Sequence, residues 1–480
     1  MRDIARQALD TATSRGAAYA DVRVVELRSE SVVVKNGRVD VIRTDESVGF
    51  GVRVLVDGAW GFASSALLSF AEADRVAALA VAIARASALV QPHPVSLGPP
   101  VTTRGRYTTP TERDPFAVSF DERIGLLLAA DQAMRRDPAI VVAEGRIGCE
   151  RQRKLFLNSE GADIEQELTE TGVGIECTAR SEDEIQTRSY PNSFGLHMGT
   201  AGWEFVERQR IVDHAARIAD EAAALLTAKQ CPSGVTTVIL DSSQTALQVH
   251  ESCGHPIELD RVFGTESAYA GTSFLTIDKL GSYQYGSEHV TIVADATIPG
   301  GLGTFGYDDE GIPAQRTTIV DHGRFVGFLT SRETATLLGQ TSNGTMRADG
   351  WNRIPLIRMT NINLEPGDWT LEDLIADTDE GILMATNRSW SIDDRRWNFQ
   401  FGTEIAWEIR GGKRGALLKN ATYSGITPQF WASCDAVCNR DEWTIWGLPN
   451  CGKGQPSQTM HVGHGAAAAR FRNVQVGLMR

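Results

Sequence analysis

Long apolar runs are missing from this sequence of 480 residues. The most apolar stretch, residues 76–84, is interrupted by Arg85 and is far shorter than the ~20 apolar residues that a transmembrane helix needs. The first ten residues also lack the basic and then apolar pattern of a signal peptide. We therefore expect a cytoplasmic protein with no membrane partner.

Cysteine is scarce, and its number is odd. The seven residues are Cys149, Cys177, Cys231, Cys253, Cys434, Cys438 and Cys451. Such a set does not form the disulfide framework of a secreted domain, so we expect buried free thiols. Cys434 and Cys438 have the spacing C-x-x-x-C, which is compatible with a second metal site or a thiol redox protein, but no matching pair follows them.

Positive charge is not in excess either. The chain has 61 acidic and 47 basic residues and a net charge of −14. An acidic surface repels phosphate backbones, so we expect no nucleic-acid partner. The 46 glycines and 17 prolines exclude a collagen-like or broadly disordered chain, and a hydrophobic content of 42% is ordinary for a globular protein.

Helical and strand patterns alternate along the first part of the chain. Apolar residues between positions 4 and 12 recur at helical spacing. Asn36-Gly37 and Asp57-Gly58 each lie between Val-rich runs, which predicts two hairpins closed by type I′ turns. Ser69 and Ser119 are each followed three residues later by glutamate, a spacing typical of a helix N-terminus.

Two domains are predicted from changes in these patterns. Six prolines in residues 91–115 indicate a linker or a long extended connection, and the helix, strand and hairpin that follow suggest a diverged internal duplication. One long amphipathic helix is predicted for residues 207–229. We expect an α+β fold: an N-terminal α/β domain at residues 1–230, with antiparallel hairpins and flanking helices, and a C-terminal domain at residues 231–480, rich in antiparallel strands and carrying the metal-site helix.

A candidate metal motif follows the predicted strand at residues 235–240. Asp241 is expected to cap the next helix. That helix carries the pattern H-E-x-x-x-H at His250, Glu251 and His255. Histidines five positions apart differ by ~140° around a regular helix, so they can aim at one metal only across a π-bulge or an unwound turn.

The residues beside the motif allow such a distortion. Gly254 permits unusual backbone angles, and Pro256 disfavours α-helical geometry at His255. The spacing alone equally allows a second interpretation, in which a capped helix carries histidines that only pack or face solvent.

A catalytic zinc site needs three protein ligands and one open position. Two histidines therefore require a third ligand from elsewhere, for which Cys451, His461 and His464 are candidates. Cys253 lies inside the motif, but its side chain points away from His250 on any near-helical path. We expect it to be a core thiol.

Longer blocks of sequence occur in order along the chain, within a resemblance that covers roughly residues 22–454. They read GFGVRVLVDGAWGFASS, HESCGHPIELD, GTFGYDDEGIPAQRTTIVDHGRFVGFLTSRETATLLG, IRMTN, ATYSG and CGKGQPS. Together they resemble the TldD/PmbA family of metallopeptidases. In that family the TldD kind of subunit carries H-E-x-x-x-H and the PmbA kind lacks it, so this chain resembles the TldD kind.

The resemblance implies zinc ligands at His250, His255 and Cys451, and a catalytic glutamate at Glu251. It also implies an N-terminal α/β domain, a strand-rich C-terminal domain, and a dimer around a protected chamber, often a heterodimer with a PmbA-type subunit. Members of the family cleave unfolded or small peptides. Pro256 is a departure, because many members carry glycine there.

The leading hypothesis is a zinc-dependent peptidase in which Glu251 is the general base for a metal-activated water. The alternative is a non-catalytic peptide-binding or assembly subunit whose zinc is structural. The acidic segment at residues 306–311 is interpreted as a turn between strands rather than a cation site. Trp390, Trp397 and Trp407 are interpreted as core residues.

Overall fold

In the computed structural model, residues 1–269, 271–454 and 456–477 are described, except for the side chain of residue 194. The α-helices are α1 (Arg2–Ser14), α2 (Phe70–Ala88), α3 (Phe120–Met134), α4 (Glu204–Gln209), α5 (Ile211–Thr227), α6 (Ser242–Val249), α7 (Leu259–Val262), α8 (Arg332–Leu337), α9 (Leu371–Ala376) and α10 (Thr427–Ala432). Short 3₁₀ helices span Pro115–Ala117, Ser193–Gly195, Ile277–Lys279 and Arg440–Glu442, and a π-helix spans His250–Gly254.

The strands belong to two large sheets and three small ones. They are β1 (Tyr19–Lys35), β2 (Arg38–Val56), β3 (Ala59–Ser65), β4 (Arg104–Thr108), β5 (Ile140–Asn158), β6 (Asp163–Arg180), β7 (Ile185–Tyr190), β8 (His197–Gly199), β9 (Lys229–Gln230), β10 (Gly234–Leu240), β11 (Ile292–Asp295), β12 (Arg316–Asp321), β13 (Arg324–Phe325), β14 (Met346–Arg347), β15 (Leu356–Ile357), β16 (Ile362–Leu364), β17 (Glu380–Ile392), β18 (Asn398–Arg410), β19 (Lys413–Lys419), β20 (Thr422–Ile426), β21 (Cys434–Val437), β22 (Thr444–Lys453), β23 (Gln458–Ala466) and β24 (Ala469–Val476).

The first sheet has the strand order β3-β2-β1-β5-β6-β4, and β7 and β8 also pair with β6. Its first hairpin turns at Asn36 and Gly37, with φ of 49° and 76°. The next hairpin turns at Asp57 and Gly58, with φ of 51° and 77°. Positive φ at both central residues is type I′ geometry, so both predicted hairpins are confirmed.

Helices cover the first sheet in two groups. α1 and α2 pack on β1, β2 and β3, while α3 and α5 pack on β5, β6 and β7. The hydroxyl of Ser69 accepts a hydrogen bond from the Glu72 backbone N–H, and that of Ser119 accepts one from the Glu122 N–H, at 3.2 Å in each case. Both predicted N-caps are therefore confirmed.

The prediction of one continuous helix over residues 207–229 is wrong. Arg210 has a φ of 47°, in the left-handed region. A residue there cannot continue a right-handed helix, so the segment divides into α4 and α5. The break leaves the apolar periodicity on either side intact, which is why the pattern did not reveal it.

The second large sheet has the order β17-β10-β24-β20-β18-β19-β9, and β21 pairs with β24. β17 also pairs with β18. This extra pairing closes β17, β10, β24, β20 and β18 into a ring of five strands, which therefore leaves few free edges. Helices and antiparallel sheets together confirm the predicted α+β fold class. Among the described residues, no helix is long and apolar enough to cross a bilayer.

The acidic segment at residues 306–311 is a turn, as predicted, but its three acidic side chains, Asp308, Asp309 and Glu310, are buried. The Asp309 carboxylate lies 2.6 Å from the Lys154 ammonium on β5, and the Glu310 carboxylate lies 3.2 Å from the Arg53 guanidinium on β2. These ion pairs attach the turn to the first sheet.

Candidate metal centre

The metal motif begins where β10 ends. The Asp241 carboxylate accepts a hydrogen bond from the Gln244 backbone N–H at 2.8 Å, as expected of a helix cap. After α6 the backbone widens into the π-helix, in which the His255 N–H donates to the His250 carbonyl oxygen at 3.2 Å. The predicted distortion between the two histidines is confirmed.

The wider turn brings the two imidazoles together. The ring centroids of His250 and His255 are 4.9 Å apart. Gly254 completes this turn against Met359, whose sulfur would lie 2.3 Å from a Cβ built on the glycine. A larger residue at this position would therefore push Met359 aside.

Cys451 reaches the histidines from the hairpin of β22 and β23. It pairs with Met460 across a register shift after Leu448. Its sulfur lies 3.7 Å from Nε2 of His255, and one donor atom each from His250, His255 and Cys451 lies within 4.8 Å of the others. All three side chains are buried, so residues 196 positions apart share one site.

Hydrogen bonds to Nδ1 determine the tautomers of His250 and His255, and therefore which nitrogen of each ring can bind a metal. Nδ1 of His464 is 3.1 Å from the carbonyl oxygen of Ile362, so it carries the proton and leaves Nε2 as an acceptor. That Nε2 is 2.7 Å from Nδ1 of His250, which must therefore donate. Nδ1 of His255 is 3.2 Å from the Glu258 carboxylate. Both rings keep an unprotonated Nε2 as a donor for a metal.

The protonation states also suit a metal. Burial lowers the pKa of His250 to about 4 and holds the pKa of His255 well below its ordinary value. Burial opposes ionisation of Cys451, but its contact with His255 and the nearby Arg358 guanidinium hold its net pKa below that of an ordinary thiol. Neutral imidazoles and a thiolate are the forms that bind metal ions, so the donor set fits a divalent transition metal.

The other candidates for the third ligand lie elsewhere. His464 stands behind His250 as a hydrogen-bond partner, and His461 contacts Glu170 on the first sheet. Cys253, Cys434 and the remaining thiols are free and buried in the described part of the chain, as predicted. The core position expected for Cys253 is confirmed.

Glu251 lies beside the cluster, and its carboxylate accepts a hydrogen bond from the Arg396 guanidinium. Arg396 occupies the turn between β17 and β18 with a φ of 63°. Both line a cavity of about 210 Å³ that also exposes His250 and Cys451. Through this cavity the otherwise buried donor atoms can be reached.

The prediction that Trp390 is a core residue is wrong. Its side chain is 42% exposed and lines the same cavity. It lies on the second half of β17, where four successive residues from position 388 to position 391 are exposed. Alternation with apolar neighbours could not distinguish this position from a buried one.

The sequence did not predict two residues of the site, Glu258 and Arg396, and it predicted a different role for a third, His464. Glu258 follows His255 by three positions, so helical spacing offered a signal for it. His464 was considered only as a ligand, because nothing local placed it behind His250. Arg396 lies in the run DDRRW, which reads as an ordinary charged turn.

Comparison with protein families assigns almost the whole chain. Residues 20–84 match the PmbA/TldA metallopeptidase domain 1, residues 113–229 match the central domain, and residues 233–478 match the C-terminal domain. The chain belongs to the PmbA/TldD metallopeptidase family. The resemblance noted in the sequence is therefore confirmed, and so is the prediction that the chain belongs to a peptidase family.

Relatives in this family carry metalloprotease names. A metalloprotease of Methanocaldococcus jannaschii is 31% identical over 94% of this chain and 95% of its own length. A metalloprotease TldD homolog of Haemophilus influenzae is 26% identical over 98% of this chain and 94% of its own. A zinc metalloprotease TldD homolog of Saccharolobus solfataricus is 22% identical over 96% and 97%.

Solved structures share the fold. TldE from Thermococcus kodakarensis superposes with a TM-score of 0.75 at 17% identity, over 99% of this chain and 100% of that one. A Thermotoga maritima protein described as a candidate modulator of a DNA gyrase gives 0.78 at 18% identity, with the same coverage. At these identities the likeness concerns the fold alone.

Proposed function

We propose that this PmbA/TldD family member is a zinc-dependent peptidase that cleaves unfolded or small peptides. The observation that carries the proposal is the convergence of His250, His255 and Cys451 on one face of a cavity that also exposes Glu251. Three protein donors and an open side are the arrangement of catalytic zinc sites, whereas structural sites are closed by four.

The proposed metal is Zn²⁺, held by Nε2 of His250, Nε2 of His255 and the Cys451 thiolate. Imidazole and thiolate donors suit zinc, which when bound acidifies a water and polarises a carbonyl oxygen. Glu258 and His464 hold the two rings in the tautomers that this requires.

Glu251 is proposed as the general base. Its carboxylate faces the cavity next to His250, where it can take a proton from the attacking water and return it to the leaving amine. The Arg396 guanidinium donates a hydrogen bond to this carboxylate, so the base has a fixed position before a substrate arrives.

We further propose the two-domain division near residue 230, cytoplasmic location, and assembly as a homodimer or with a PmbA-type subunit. The division is supported by the sheets, since β1–β8 form the first sheet and β9 joins the second. The internal duplication within residues 1–230 remains part of this proposal, supported by two similar hairpins, β1–β2 and β5–β6, each covered by two helices.

The test is Glu251→Gln in the zinc-loaded full-length chain, compared with Glu372→Gln on the exposed surface of α9. We expect Glu251→Gln to keep zinc and to lose peptide cleavage by at least ~100-fold, because the base is gone while the ligands remain. Cleavage is followed with an unstructured fluorogenic peptide, with and without a PmbA-type partner.

Two outcomes would contradict the proposal. Undiminished turnover in zinc-loaded Glu251→Gln would remove Glu251 from the mechanism. Absence of cleavage in the unaltered protein under both conditions, together with four protein ligands in a metal absorption spectrum, would favour the non-catalytic subunit with a structural zinc.

A further inference from the structure

A second cavity, of about 240 Å³, lies between the first sheet and the C-terminal part of the chain. Two glutamates and a histidine share its wall. Glu150 on β5 and Glu170 on β6 are direct cross-strand partners, and His461 on β23 reaches them from the other side. One donor atom from each of the three lies within 4.8 Å of the others.

The two glutamates place like charges opposite each other in a sheet, which destabilises the pairing unless a cation compensates them. His461 contacts the carboxylate of Glu170. Within the described part of the chain, no hydrogen bond or ion pair reaches the Glu150 carboxylate. Among these described residues Glu150 therefore faces Glu170 without a side-chain partner of its own, and its carboxylate lines the cavity.

Nearby cations are engaged elsewhere. The Lys154 ammonium lies 2.6 Å from the Asp309 carboxylate. The Arg347 guanidinium donates to the carbonyl oxygens of Met359 at 3.0 Å and of His461 at 2.7 Å. Neither side chain forms a direct ion pair with Glu150, although both line the cavity.

We propose that Glu150, Glu170 and His461 bind a second divalent transition-metal ion. One imidazole and two carboxylates are donors for Zn²⁺, Mn²⁺ or Fe²⁺, whereas the imidazole disfavours Mg²⁺ and Ca²⁺. Donors around one such ion at ~2.1 Å are at most ~4.2 Å apart, so small side-chain rotations close the set. The cavity leaves space for water ligands.

The ion would connect parts of the chain that are distant in sequence. β5 and β6 belong to the first sheet, and β23 belongs to the hairpin that presents Cys451. Binding would put a divalent ion in place of the proton between His461 and Glu170, and that proton would be released to solvent. The second metal therefore holds the hairpin of the first metal site against the first sheet.

The experiment counts metal in the full-length chain after removal of all metal with a chelator and titration with Co²⁺ or Zn²⁺. We expect two equivalents in the unaltered protein. Co²⁺ at Cys451 gives a thiolate-to-metal absorption band, while the second equivalent gives none. Cys451→Ser should therefore lose this band and keep one equivalent.

Variants at the second cluster should show the converse. Glu150→Gln and His461→Lys should each keep the thiolate band and lose the other equivalent. His461→Lys retains a positive charge beside Glu170, so it separates metal binding from a simple ion pair. The matched control is His322→Ala, at an exposed histidine, which should keep both equivalents.

The proposal fails if the unaltered protein binds one equivalent and Cys451→Ser removes it. It also fails if a second equivalent persists in both Glu150→Gln and His461→Lys. These counts do not depend on peptide cleavage, so they stand apart from any test of the peptidase proposal.

Discussion

At the scale of single residues, the ion pair between Arg396 and Glu251 positions the proposed general base. The guanidinium takes one oxygen of the carboxylate and leaves the other available toward the cavity. Charge-assisted hydrogen bonds of this kind are stronger than neutral ones and restrict side-chain rotation. Arg396 is thus a positioning residue for the proposed base rather than a metal ligand.

Replacement of Arg396 tests this role. We expect Arg396→Ala to lower kcat for peptide cleavage by ~10 to 100-fold with a smaller change in KM, because the proposed base loses its orientation while the cavity stays open. Arg396→Lys should recover part of the loss. Zinc content should not change in either variant.

Arg395→Ala provides the matched control, because Arg395 is the adjacent arginine of the same turn and is exposed. It should retain full activity. An Arg396→Ala variant with full zinc content and unaltered kcat would show that the contact with Glu251 has no role in turnover.

At the scale of elements, short-range signals predicted more than long-range ones. The hairpins at Asn36 and Asp57 and the cap at Ser69 follow from residues within a few positions of each other. The distorted helix at His250 was also predictable, because five-residue spacing leaves few geometries. By contrast, the contact of His464 with His250 requires the docking of β23 against α6, which no local pattern encodes.

The third metal donor also depends on contacts that are distant in sequence, so local patterns could not identify it. Spacing left Cys451, His461 and His464 open, and only the family resemblance selected Cys451. The break at Arg210 was missed for a different reason, since a single left-handed residue does not alter the apolar periodicity of its neighbours. Arg396 was missed because charged turns are common and rarely line a site.

The π-helix offers a prediction at this scale. Gly254→Ala should lower the free energy of unfolding by about 1–3 kcal/mol, because the added methyl group overpacks against Met359. Metal affinity should fall with it, since the same turn sets the distance between His250 and His255. Urea unfolding and a zinc titration measure the two effects.

A double-mutant cycle identifies the cause. Met359→Ala removes the clash but leaves a cavity, so it is destabilising alone. Combined with Gly254→Ala, it should cost less than the sum of the two single changes. Strict additivity would mean that Met359 is not what excludes a larger residue at position 254.

At the scale of the whole molecule, the first sheet and the second part of the chain are joined by buried polar contacts. The turn at residues 306–311 forms ion pairs with Lys154 and Arg53. His197 on β8 accepts a hydrogen bond from the Gly447 N–H of β22 at 3.2 Å, and its ring contacts Trp446.

His197 provides the pH prediction. Burial lowers its pKa to about 3, below the ~6.5 of an unfolded histidine. A depressed pKa gives stability above pH 6.5 that is lost as the pH falls, by about 2 kcal/mol at pH 5. The stability advantage of the unaltered metal-free protein over His197→Asn should therefore shrink by that amount between pH 7.5 and pH 5.

Urea unfolding of both proteins at the two pH values measures the difference. His322→Asn, at an exposed histidine, is the control and should show no pH-dependent difference from the unaltered protein. An advantage over His197→Asn that stays constant from pH 7.5 to pH 5 would mean that His197 is not held neutral by the junction.

The ring of five strands also determines the order of events during synthesis. β10, which leads directly into the metal motif, pairs with β24, and the two strands are about 230 residues apart in the chain. At a translation rate of about 5–20 residues per second, β10 waits roughly ten to fifty seconds for this neighbour to be made. The first sheet can form on the ribosome during that interval. The two histidines remain without their finished surroundings until β24 emerges, and for most of this period the nascent chain presents their imidazoles to metal ions without the Cys451 thiolate.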